Sequence, residues 1–73
     1  MHFHVVQIQI GENDATVERR VLSLHQTRPD ADLAAEFTAR GFAAFKPAER
    51  PGAWQVKDKT GRRYRISAEP VPF

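Results

Sequence analysis

Cysteine is absent from the 73 residues, which removes disulfides, thiolate zinc sites, iron–sulfur clusters and cysteine nucleophiles together. Packing and assembly remain as means of stabilisation. Long apolar runs are missing as well, so the sequence offers no membrane span and no signal-peptide core, and a cytoplasmic location away from membranes is expected. The four glycines, Gly11, Gly41, Gly52 and Gly61, stand singly and never form a phosphate-cradling cluster, so no nucleotide-binding loop and no cofactor is expected. A strong excess of one charge is also lacking. The formal net charge of +2 is far below that of a protein held on nucleic acid by charge alone.

What is present is unevenly placed. Residues 1–40 hold six acids (Glu12, Asp14, Glu18, Asp30, Asp32, Glu36) against Arg19, Arg20, Arg28 and Arg40, a net −2. Residues 41–73 hold seven bases (Lys46, Arg50, Lys57, Lys59, Arg62, Arg63, Arg65) against Glu49, Asp58 and Glu69, a net +4. The chain is electrically polarised. Eight Arg against three Lys, with ten Ala, suit a GC-rich bacterial or phage genome. The length predicts one domain, residues 1–69, with 70–73 as an extended tail on which Val71 and Phe73 form an apolar end. A chain this short buries only about 60% of the surface it exposes when unfolded. A homodimer or another partner would add area.

Residues 2–10 alternate, with His4, Val6, Ile8 and Ile10 on one side and Val5, Gln7 and Gln9 on the other, the period of a half-buried strand. Residues 11–14, Gly-Glu-Asn-Asp, supply a turn, Gly and Asn tolerating positive φ. Residues 15–25 fit a helical stripe or a return strand; a hairpin gives the first strand a neighbour and favours the strand. Thr27 and Asp30 match a capping box around Pro29, opening a helix over 28–40 that Gly41 is placed to end in the left-handed conformation. Leu33, Ala34 and Phe37 form the stripe expected to enter the core. A strand over 42–46, a Pro-bounded loop over 47–52, and strands over 53–57 and 62–67 joined by an Asp58–Gly61 turn complete the pattern. The fold class is therefore α+β: a small antiparallel sheet, in chain order β-β-α-β-β-β, with one helix packed on one face. Trp54, Val56, Tyr64 and Ile66 share the core side of the last hairpin.

The other side of that hairpin carries Gln55, Lys57, Arg63 and Arg65, with Lys59 and Arg62 at its turn. Arg forks hold phosphate or carboxylate oxygens in paired hydrogen bonds, and a two-stranded ribbon fits the major groove of DNA. An exposed sheet face must also carry something polar, and edge cations deter aggregation. The stacking aromatics of single-strand binders are expected on the core side instead. His2, His4 and His25 have spacing for three metal nitrogens, but no acid in the segment is placed to orient them, and no metal site is expected. Ser23 and Ser67 lack a nucleophile elbow and an evident base, and the acids of the helix lie on a solvated face, so no catalytic residues are assigned.

Residues 54–66, Trp-Gln-Val-Lys-Asp-Lys-Thr-Gly-Arg-Arg-Tyr-Arg-Ile, resemble hairpins in many families, including the arm-binding domains of phage-type integrases, whose strands read DNA. The shared pattern is generic turn chemistry and assigns no family. The expectation is a non-enzymatic, protein-binding regulator or inhibitor that occupies a surface of a macromolecular partner, which can itself be a nucleic-acid-handling complex. Direct nucleic-acid binding by the basic hairpin is the alternative.

Overall fold

A computed structural model describes residues 2–71. Strand β1 (Phe3–Ile10) turns through a short 3-10 segment (Glu12–Asp14) into β2 (Thr16–His25); helix α1 (Arg28–Arg40) leads to β3 (Ala44–Pro47), β4 (Ala53–Lys57) and β5 (Arg63–Pro70). All pairings are antiparallel, and the five strands lie in the order β2-β1-β5-β4-β3. The segment that fits helix or strand by its periodicity is the return strand β2. Its turn takes the left-handed conformation at Asn13 (φ 63°) and Asp14 (φ 58°), whereas Gly11 stays extended. Asn and Asp tolerate that region better than other side chains.

Strand order decides which face of β1 meets the helix. Val5 and Gln7 sit opposite Ala68 and Ile66, and Val5, Val56, Ile66 and Ala68 form the core with Ala31, Ala35 and Ala39 of α1. Trp54 and Tyr64 pack against this cluster, as their spacing on the hairpin predicts. The more apolar row of β1, with Ile8 and Ile10, therefore looks out from the sheet on the side away from the helix.

Four local readings change. Leu33 and Phe37 are 64% and 79% exposed rather than core; the helix buries its narrow alanine stripe, because only small side chains let a helix backbone settle close onto a pleated sheet. Gly41 is not left-handed (φ −77°, ψ −9°), since its N–H bonds Thr38 O at 3.1 Å and that of Phe42 bonds Ala39 O at 3.1 Å, closing the helix with a 3-10 turn. The last strand runs on to Pro70, opposite Phe3, and the Val71 N–H bonds the His2 carbonyl at 2.8 Å, so the sheet takes in the start of the expected tail. Pro72 and Phe73 lie outside the described residues. The third strand starts at Ala44, two residues later than its composition implies, and includes Pro47. Pro47 is tolerated because β3 is an edge strand.

Half of the expected capping box forms: the Thr27 hydroxyl accepts from Asp30 N–H at 3.3 Å, with Pro29 in the first turn. The helix also meets the sheet through cations over rings, Arg28 above Phe3 of the inner strand β1 at 5.9 Å and Arg40 above Phe45 of the edge strand β3 at 5.7 Å.

Candidate binding surface

The site is built outward from the β4–β5 turn. Asp58 accepts from Thr60 Oγ1 at 2.7 Å, Thr60 N–H at 2.9 Å and Arg62 N–H at 3.0 Å, all on Oδ1, while Gly61 takes φ +90°, a region that favours glycine. These bonds fix the register Lys57↔Arg63 and Gln55↔Arg65. They also stabilise the carboxylate, and the Thr60 hydroxyl, then the Arg62 and Thr60 backbone N–H groups and the Arg62 charge, hold Asp58 below the usual Asp range against a smaller opposing effect of desolvation. A lowered folded-state pKa means that this turn is stabilised above the unfolded-state pKa and loses that contribution as pH falls through the folded one. Acid titration followed by NMR should place the Asp58 midpoint below that of Asp in a short peptide, and the Thr60 and Arg62 amide signals should move with the same midpoint. An Asp58 midpoint at the peptide value would contradict these bonds.

Four of the residues marked in the sequence, Gln55, Lys57, Arg63 and Arg65, share the open face of the sheet. Lys59 and Arg62 do not join them; they stay on the turn, where Arg62 serves through its backbone N–H. Lys57 and Arg63 are directly opposite like charges, which destabilises a strand pair. Arg63 relieves this by reaching away to Asp14 Oδ1 at 3.1 Å and to the Gly11 carbonyl at 3.0 Å, clamping the β1–β2 turn to β5. Among the described residues, no ion pair engages Lys46, Lys57 or Arg65.

These cations line an open trough of about 720 Å³ together with Ile8, Ile10, Thr16 and Ala44, and with Asp14, which Arg63 neutralises. Ile8 stands directly opposite Arg65, so apolar and cationic side chains are neighbours on adjoining strands. At the far end of the same face the β3–β4 loop folds over, Arg50 meeting Glu69 at 3.5 Å and Ala48 N–H bonding the Ala53 carbonyl at 2.9 Å; this closes the sheet above Ala53 and Ser67. Among the described residues, strand alternation places no Phe, Tyr or Trp on the open face, although Phe45 and Tyr64 border the trough from the helix side. Phe45 and Trp54 pack edge to face at 6.2 Å on the helix side, and Phe42 and Tyr64 tilt together at 5.5 Å.

The sequence does not reveal Lys46, Ile8 and Ile10 as parts of this surface. Alternation marks the two isoleucines as one row, but only the β1–β5 pairing places that row beside the basic strip.

Two other groupings noted in the sequence lie elsewhere. His4 pairs with Leu24 on the open face and His25 with Phe3 on the helix face, so the three imidazoles do not converge. Ser23, to which the sequence assigns no base, has its Oγ 2.8 Å from His25 Nε2. The two lie at i and i+2 on one strand and neither lines the trough. That hydrogen bond ties down the end of β2.

No protein-family model, curated protein or solved structure matches the chain. The fold is a five-stranded antiparallel sheet with one helix packed against it, and no helix among the described residues is long and apolar enough to cross a membrane.

Proposed function

We propose that the chain is a small, non-enzymatic, cytoplasmic protein-binding regulator or inhibitor, of bacterial or phage origin, that holds an acidic and partly apolar segment of a macromolecular partner in the trough. The observation that supports this reading is the side-by-side placement of Ile8 with Arg65, beside Lys57 and Lys46, in one concave surface. Arg65 and the two lysines can take carboxylates, while the isoleucines reward apolar side chains arriving between them. A second reading, nucleic-acid binding, draws on the same cations extended by Lys59 and Arg62 at the turn. It is disfavoured because the aromatics that border the trough, Phe45 and Tyr64, already pack against Trp54 and Phe42, and base stacking contributes about 1–3 kcal/mol per base in single-strand binders.

The test uses two probes of equal charge, a short peptide of alternating Glu and Leu and a single-stranded oligonucleotide. The peptide should bind more tightly. Lys57→Glu combined with Arg65→Glu should abolish its binding, and Ile8→Ser should weaken it several-fold, with the fold unchanged by circular dichroism. Preference for the oligonucleotide, with a steep salt dependence and no response to Ile8→Ser, would replace this reading with the second.

A further inference from the structure

Strand β2 is an edge of the sheet, with β1 on one side and no strand on the other. Along its ten residues the outward backbone groups have no strand partner, and such an edge is a template for another strand. It is also unusually apolar for an edge: Val17, Val21 and Leu24 are 62%, 50% and 62% exposed. Edges that stay solitary are commonly blunted by Pro, by like charges or by bulges; β2 contains no Pro or Lys, and its charges are of both signs. Register irregularities opposite Val5/Val6 and Gln9/Ile10 leave residues 18–21 as a regular run between them.

That run carries both signs of charge, in an order that complements itself. Two copies joined edge to edge, antiparallel, are related by a two-fold axis normal to the sheet, so directly opposite residues must share a face and their numbers must have the same parity. With the axis at Arg19, Glu18 lies opposite Arg20 of the second copy, twice. Moving the axis to residue 18 sets Glu18 against itself. Moving it to residue 20 sets Arg20 against itself and leaves Glu18 facing Leu22. Only the Arg19-centred register pairs opposite charges, and its one unfavourable contact is Arg19 against Arg19. In the single chain, Arg20 already bonds Glu18 at 3.1 Å across a strongly exposed surface, so both side chains stand on the edge ready to exchange partners. Stacking of the two open faces is the competing arrangement. It would press Lys46, Lys57, Arg63 and Arg65 of one copy against the same cations of the other.

We propose that β2 is the seam of a homodimer, paired antiparallel about Arg19 into a continuous ten-stranded sheet. Light scattering after size exclusion, over a concentration series reaching hundreds of micromolar and with no other partner present, should show the mass rising from 8.3 kDa towards twice that value. Glu18→Arg and Arg20→Glu should each weaken association about tenfold. The double exchange should restore it. Arg19→Thr removes the like-charged contact with a residue suited to strands and should tighten the dimer, which keeps the test alive if a charge exchange impairs folding. A mass of 8.3 kDa throughout, a double exchange no better than either single one, or an Arg19→Thr variant no tighter than the parent would overturn the seam. These readouts do not involve the trough, so their failure leaves the proposed function standing, and the reverse also holds.

Discussion

Ala35→Leu is expected to lower stability by about 3 kcal/mol, at the upper end of what inserting extra methylenes into a packed core costs. Ala35 is fully buried at the middle of the stripe that α1 presses against the sheet. A leucine there has no free volume to enter and must lift the helix from β1, β4 and β5 together. A domain of this length holds only about 4–11 kcal/mol in total, so the loss should be visible in urea and lower Tm by roughly 15 °C. Phe37→Ala is the matching control. Despite removing a whole aromatic ring it should change stability by less than about 0.5 kcal/mol, the usual range for exposed positions. If the Phe37 variant proved the more damaging, the helix would have to be docked on its opposite face.

The contrast between those two positions also explains what the sequence could and could not convey about the fold. Turns and caps are local chemistry, so Thr27 with Pro29, the Asp58–Gly61 turn and the return strand are legible from a few neighbouring residues. Which helix face is buried depends on how closely the backbone approaches the sheet. Hydrophobicity ranks Leu33 and Phe37 above alanine, whereas close approach selects Ala31, Ala35 and Ala39. The same limit explains Gly41, whose conformation follows from the 3-10 bonds of the last turn and not from glycine's freedom to be left-handed.

The candidate surface divides in the same way. Gln55, Lys57, Arg63 and Arg65 are brought together by one hairpin, and alternation within a hairpin is readable. Ile8 joins Arg65 only because β5 inserts beside β1 across 57 positions of chain, and nothing in either strand alone announces that pairing. Lys59 and Arg62 stay at the turn, as their place in the sequence implies: the Arg62 N–H bonds Asp58, and neither residue lines the trough. Arg63 is also more than a surface cation, because its bonds to Asp14 and Gly11 secure the turn that starts β2.

Gly52→Ala should cost about 2–3 kcal/mol, and the reasons can be separated experimentally. Gly52 has φ +77°, where an L side chain is strained by roughly 1–2 kcal/mol. A Cβ built there would stand 2.5 Å from Asp32 Oδ1, an oxygen that is shielded from solvent and has no hydrogen-bond partner. The carboxylate would have to swing out, and with it the loose 3.9 Å pairing of its other oxygen with Arg28. The Gly52 carbonyl meanwhile accepts from the Ala68 N–H at 3.0 Å, so the loop cannot drift away from β5 without breaking that bond. Asp32→Ala alone should therefore be nearly neutral, since it removes an unsatisfied oxygen together with a weak exposed pair. In the double variant the collision is gone and only the backbone strain remains. Denaturant unfolding should then show the Gly52→Ala cost falling by about 1 kcal/mol in the Asp32→Ala background. Equal costs in the two backgrounds would mean that the carboxylate moves aside freely, and that glycine is required there for its φ alone.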